Sequence, residues 1–225
     1  MERSIRFGNL SLVLPLLAAA VAFWARSAQA TPPLYWDING SVAGAGGATP
    51  SGTWNYGYQY WNLSSDGTGT CIPVENTSYN FFFSAGNDAT GDYTITVCGT
   101  RYAKSITVED GTPTFSGEYG VTSKLVLSGT GSINTNARNP LFKVVIGDSL
   151  DSVGLLTKTG LGTLTLDAAN TYTGLTTVEA GTLKLVGTTT APKAWNPVLN
   201  VGGSDIQGGK MVFDYTGGTT PASTI

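Results

Sequence analysis

The chain has 225 residues, with 12 Lys or Arg against 15 Asp or Glu, a net charge of −3 and no histidine. The lack of histidine excludes Ser-His-Asp and Cys-His nucleophile relays and every His-ligated zinc site, and two cysteines are too few for an all-cysteine zinc site. An acidic chain without a basic stripe is a poor surface for nucleic acid or anionic lipid, while 30 glycines and only 12% charged residues favour many short strands joined by tight turns.

Residues 1–30 read as a cleaved secretory leader: Arg3 and Arg6, an apolar run from Leu10 to Trp24, then Ala28-Gln29-Ala30 as a small-x-small cleavage pattern. Ser11 and Pro15 interrupt the run, so no membrane insertion is expected after cleavage. Export places Cys71 and Cys98 where a disulfide persists. A bond between them would add about 3 kcal/mol by loop closure, and the alternative is two separate buried thiols.

Residues 31–78 are rich in aromatics and glycine, with Tyr35-Trp36-Asp37 and Trp54-Asn55-Tyr56 on either side of Gly44-Ala45-Gly46-Gly47, and Tyr58, Tyr60 and Trp61 after them. The area these rings offer for burial fits a cap over one end of a stack. The alternative is a platform for glycans made by Trp36, Trp54 and Trp61. Asp37-Ile38-Asn39-Gly40-Ser41 is similar to the start of a calcium loop but lacks its later acidic ligands, and an Asx-turn accounts for it equally well.

From residue 79 to 225 short alternating segments recur: Tyr93–Val97, Ser105–Val108, Lys124–Leu127, Lys143–Ile146 and Lys210–Tyr215. Pro113 restricts Thr112–Phe115 to a sheet edge or a strand start. The clearest internal echo is Gly162-Thr163-Leu164-Thr165-Leu166 against Gly181-Thr182-Leu183-Lys184-Leu185, nineteen residues apart by subtraction. Its leucines point inward and its Thr and Lys outward, and a period near twenty with Gly and Asn turns fits one coil of a β-helix. The fold class is therefore all-β, a parallel β-solenoid, with a β-sandwich as the alternative.

The run Lys158-Thr159-Gly160-Leu161-Gly162-Thr163-Leu164-Thr165-Leu166, continued by Asn170-Thr171-Tyr172-Thr173-Gly174 and Val178-Glu179-Ala180-Gly181-Thr182-Leu183-Lys184-Leu185, resembles the autotransporter-associated β-strand repeat. The resemblance places the repeat at residues 158–187. Leu161 and Leu175 stand where that pattern is free or carries glycine. The Tyr35-Trp36-Asp37-Ile38-Asn39-Gly40 opening resembles the start of bacterial repeat proteins of this kind. The resemblance implies a bacterial exported passenger with a right-handed parallel β-helix and a surface or extracellular role. It supplies no catalytic residue and no cofactor. It also implies an outer-membrane barrel that this chain does not contain, so a longer parent protein is expected, with the segment from 79 incomplete at its C-terminal end and the anchoring region elsewhere.

The expected function is structural or adhesive and non-enzymatic, toward extracellular glycans or surface proteins. The alternative is a carbohydrate-binding or polysaccharide-degrading protein on the same scaffold. A glycosidase would need a pair from Asp148, Asp151, Asp167 and Glu179, all of which also suit turns, and a lyase would draw on Arg101 or Arg138. Asn170 is a candidate for an asparagine ladder between coils or for a plain turn. No residue is assigned to catalysis, to a cofactor or to a metal.

Overall fold

The structure, a computed structural model, describes residues 31–75, 77–150, 153–186 and 202–214. The leader expected at 1–30 and the candidate Asp151 lie outside these residues. The described residues are all-β, without a helix.

The strands, in chain order, are β1 (Leu34–Trp36), β2 (Gly52–Trp54), β3 (Trp61–Asn62), β4 (Cys71–Ile72), β5 (Tyr79–Phe83), β6 (Asp92–Val97), β7 (Thr100–Val108), β8 (Thr112–Gly117) and β9 (Lys124–Asn134). They continue as β10 (Leu141–Phe142), β11 (Val145–Ile146), β12 (Leu156–Thr159), β13 (Thr163–Leu166), β14 (Thr176–Val178), β15 (Thr182–Val186), β16 (Ser204–Ile206) and β17 (Lys210–Asp214). One sheet runs β16-β14-β12-β9-β7-β5-β1-β3-β4, with β11 also on β9; the other runs β17-β15-β13-β10-β8-β6-β2. From β5 onward every pairing is parallel and, apart from β11 and β12, which both pair with β9, the chain alternates between the sheets, adding strands to each in sequence order. A parallel neighbour cannot be reached by a tight turn, and here the strand in the opposite sheet serves as the crossover. Antiparallel pairing, which a sandwich of hairpins would require throughout, is confined to β1–β3 and β3–β4.

Period-2 alternation produces this arrangement, because each strand buries one set of side chains and exposes the other. In the second sheet the Cα partners run Ile95–Phe115–Phe142–Leu166–Leu185–Phe213, one inward residue per strand. The first five are fully buried, and Phe213 packs against them from the side. Leu164 pairs with Leu183 in the same way, and both are buried. The nineteen-residue echo therefore corresponds to one circuit through both sheets. The ladder of the first sheet runs Leu34–Phe81–Ile106–Ile133–Lys158–Val178–Ile206. Apart from Ile206, which is exposed, the two ladders face each other across one interior, whose stability comes from the apolar area it removes from water, about 25 cal/mol per Å2.

Turns close each circuit. Gly160 and Gly181 stand at the corners before β13 and β15 with φ of 75° and 66°, a conformation in which a Cβ is strained. A Cβ on Gly181 would also collide with the Gly160 carbonyl of the preceding circuit. The expected Lys143–Ile146 strand is interrupted: Leu141 and Phe142 lie in the second sheet, Val145 and Ile146 in the first, and the chain turns its corner at Lys143 and Val144. Pro113 sits at the second position of β8, just ahead of the residues that β10 pairs.

Candidate functional site

The three tryptophans proposed as a glycan platform are packed inward. Trp36, Trp54 and Trp61 are 0%, 1% and 1% exposed. Trp36 lies 5.3 Å from Trp61, Trp54 lies 5.2 Å from Trp61, and Phe81 and Phe83 close the group at 4.4 to 5.9 Å. The Trp36 indole N–H donates to the Pro50 carbonyl at 2.7 Å. Rings in this state present no face to a sugar, so the platform assigned to them is corrected: they are core, joined by edge-to-face and stacked contacts worth roughly 0.5–1.5 kcal/mol a pair beyond burial. Alternation puts their sequence neighbours outside. Tyr35 and Phe82 are half-buried, paired in register, and stacked at 4.9 Å with planes 30° apart.

The two cysteines do not pair, which corrects the expected disulfide. Cys71 lies on the edge strand β4, where its thiol donates to the Gly40 carbonyl at 3.4 Å and to Asp37 Oδ2 at 3.7 Å. Burial and the neighbouring Asp37 carboxylate push that thiol up to about 11. Cys98 follows β6 and its thiol is raised by a hydrogen bond with Glu118 and by burial. Each thiol has its own surroundings, and neither is activated as a nucleophile.

Asp37 is fully buried. It accepts the Asn39 amide at 2.9 Å, an Asx-turn, and the Asn62 side-chain amide at 2.8 Å. Burial pushes its carboxyl above the ordinary value against these hydrogen bonds. The calcium-like pentapeptide is thus a turn tied to β3. An open cleft of about 480 Å3 nearby is lined by Gly44, Asp66, Gly86 and Asp88 among others. Asp88 accepts the Ala45 and Gly47 amides, both at 2.7 Å, and the Thr68 amide with the Ser64 and Thr68 hydroxyls holds Asp66 down to about 2. Both carboxylates therefore serve turns. Among the described residues no group of three or more Cys, Asp or Glu side chains is placed to hold a metal ion.

The other candidate carboxylates are dispersed. Asp148 accepts the Gly154 amide at 2.6 Å and the Thr173 hydroxyl at 2.6 Å. Burial raises its carboxyl, but these bonds and nearby Lys124 outweigh burial and hold it below the ordinary value. Asp167 stands just after β13, its amide donating to Phe142, and Glu179 is exposed just after β14, its amide donating to Lys158. Arg101 is buried 3.5 Å over the Tyr56 ring and donates to the Trp54 carbonyl, and Arg138 pairs with Asp110 at 2.6 Å. Asn170 accepts the Ile146 amide at 2.8 Å across circuits, with its own amide nitrogen unpaired among the described residues. These arginines and Asn170 work as connectors between segments far apart in sequence.

The residue that composition does not reveal is Lys158. It occupies an inward position of the first sheet, between Ile133 and Val178, and is fully buried. Its ammonium donates to the carbonyls of Thr159 at 2.7 Å, Gly160 at 2.7 Å and Ala180 at 3.1 Å, bridging two successive corners. Burial lowers it from 10.5 to about 8. The signal was present in Leu156-Thr157-Lys158-Thr159, where strict alternation with buried Leu156 assigns Lys158 to the interior.

This corner lies inside the segment that matches a known family. A family model described as the passenger-associated-transport-repeat matches residues 156–185, from the start of β12 into β15. Residues 156–185 thus carry a passenger-associated-transport-repeat. In this structure the passenger repeat comprises two successive strands of each sheet, with Gly160 and Gly181 at equivalent corners. Beyond the repeat, the chain is 29% identical over 210 residues to the adhesin BmaC autotransporter of Brucella suis biovar 1 (strain 1330). The aligned region covers 91% of this chain and 5% of that protein. The chain therefore spans a small part of the length of the relative it matches. No solved structure gives a significant match. The passenger repeat and the likeness to an adhesin support an exported, cell-surface location.

Proposed function

We propose that this chain is a section of a surface-displayed autotransporter passenger with an adhesive, non-catalytic role. In this reading residues 1–30 are the export leader, 31–78 form the aromatic cap of a right-handed parallel β-helix, and 79–225 carry its coils. The observation that carries the reading is the coincidence of the passenger repeat with an unbroken parallel register, in which Leu164 sits on Leu183 and Leu166 on Leu185. Parallel crossovers are right-handed in nearly all known sheets, and a stack of coils bearing polar outer faces makes a long rigid display surface. The dispersed carboxylates favour this role over hydrolysis, since a glycosidase places two of them across one bond.

The test is on intact cells of the source bacterium. An antibody against the chain is predicted to label them without permeabilisation, and removal of residues 31–225 to reduce attachment to host-cell or matrix-coated surfaces. Labelling only after permeabilisation, or attachment unchanged by the deletion, would contradict the proposal.

A further inference from the structure

The first sheet has an outward face whose chemistry differs from that of its interior. Across β5, β7, β9, β12 and β14 the Cα partners run Asn80–Ser105–Ser132–Thr157–Thr177. Each stands next to a buried ladder residue and is itself half-exposed, so these side chains point outward. Adjacent strands lie about 4.8 Å apart, which makes the row a regular ladder of hydroxyl and amide groups on a backbone fixed by parallel hydrogen bonds. The Ser105 hydroxyl donates to the Asn80 amide oxygen at 2.9 Å, tying two rungs together. The adjoining row of the same face begins with the stacked Tyr35–Phe82 pair and continues through Thr107.

We propose that this face binds an uncharged linear glycan lying along the stack, with one sugar ring on the Tyr35–Phe82 pair and the following sugars on the hydroxyls of Ser132, Thr157 and Thr177. The proposal rests on the adhesive reading above and names the ligand class and the face. Three features favour that ligand. A hydroxyl donates and accepts at once, so a ladder of them can pair with a polyol in either sense. The row itself carries no charge. Its charged neighbours are Lys104, exposed at the β7 bulge and already engaged in an interaction of its own, Glu109 beside Tyr35, exposed Glu179 two residues beyond Thr177, and Asp205 at the far end. That balance offers no cationic track for a uronate or sulfated chain. Finally, the aromatic pair, its rings stacked on each other, supplies an apolar edge beside a polar row, a contact for the C–H groups of a pyranose whose hydroxyl rim meets that row.

The experiment uses the full exported chain and a panel of soluble hexasaccharides, neutral (cellohexaose, xylohexaose, maltohexaose) and anionic (hexagalacturonate), read by saturation-transfer NMR. At least one neutral member is predicted to bind. The triple variant Ser132→Ala, Thr157→Ala, Thr177→Ala is predicted to weaken it at least tenfold, as is Phe82→Ala, while Thr165→Ala on the outward side of the second sheet leaves it unchanged. Unaltered circular dichroism of the triple variant keeps the test valid where Phe82→Ala destabilises the fold. A panel with no neutral binder, stronger binding of hexagalacturonate, equal loss in Thr165→Ala, or a signal that tracks self-association of the chain would each overturn the proposal. Cells that still attach through a chain whose row is substituted would leave the adhesive reading standing and reject this face. Cells that fail to display or attach with the unsubstituted chain would reject the adhesive reading itself.

Discussion

Replacing Lys158 by methionine separates the two sides of its burial. At neutral pH the wild-type ammonium sits among Ile133, Val178 and three carbonyls. Thr159 retains the Thr135 amide as a partner, so the substitution leaves the carbonyls of Gly160 and Ala180 without the ammonium. Each unpaired carbonyl costs about 1–3 kcal/mol. The same substitution removes the cost of burying a charge. A fall from 10.5 to about 8 corresponds to about 3 kcal/mol at 1.36 kcal/mol per unit. The two effects are of similar size near pH 7, so stability there is a poor discriminator. The pH dependence is decisive. Because the folded value lies below the unfolded one, the unfolded state binds more protons between pH 8 and 10.5, and wild-type stability rises through that window. Below pH 8 the full cost is present in the wild type. Buried Tyr172, raised to about 12, acts in the opposite sense at high pH but is common to both proteins and cancels in the difference. Urea unfolding followed by tryptophan emission at pH 7.5, 8.5, 9.5 and 10.5 is predicted to show wild type gaining about 3 kcal/mol on Lys158→Met. A difference that stays constant with pH, or shrinks, would refute the reasoning.

Gly181→Ala places a Cβ at positive φ against the Gly160 carbonyl, and a loss of more than about 2 kcal/mol in urea titrations is expected; a change below about 0.5 kcal/mol would show that the corner is looser than described. Leu183→Ala empties a fully buried position between Leu164 and Met211 and should cost about 2–5 kcal/mol, whereas Lys184→Ala on the outer side should change stability by less than about 1 kcal/mol. Asp148→Asn removes a carboxylate held low by Thr173 and Gly154. The stability that Asp148 contributes is present above its ordinary value of 3.8 and lost as pH falls through its folded value. The wild-type advantage over the variant should therefore vanish in acid, and an advantage that grows there would contradict the assignment.

Much of the architecture was legible because alternation is a local property. Leu164, Leu166, Leu183 and Leu185 alternate with Thr and Lys, and that pattern alone placed them inward. The number of circuits was not legible. The second-sheet ladder residues Ile95, Phe115, Phe142, Leu166, Leu185 and Phe213 are separated by 20, 27, 24, 19 and 28 residues. Loops absorb this variation without disturbing the register, so only the nineteen-residue step left a visible echo. The aromatic region was recognised but its orientation was not, because Phe81-Phe82-Phe83 and Tyr35-Trp36 read the same in either phase until a neighbour fixes which residue faces in. A disulfide was equally undetermined, since the spacing of Cys71 and Cys98 says nothing of the strand or turn each would join. Lys158 opens the repeat motif, and its burial follows from a rule that its charge argues against.

The central claim is that strands of each sheet stack in parallel, one per circuit, around a single interior. It is tested most directly by electron–electron distances between nitroxide labels on the outward row Thr94–Thr114–Leu141–Thr165–Lys184–Val212, in a background with Cys71→Ser and Cys98→Ser. The pairs Thr94–Thr165, Thr94–Lys184 and Thr94–Val212 span three, four and five strand spacings, so the modal distances are predicted to rise through about 14, 19 and 24 Å at about 4.8 Å per step. Distances that fail to increase in this order, as labels on antiparallel or non-adjacent strands would give, would contradict the account.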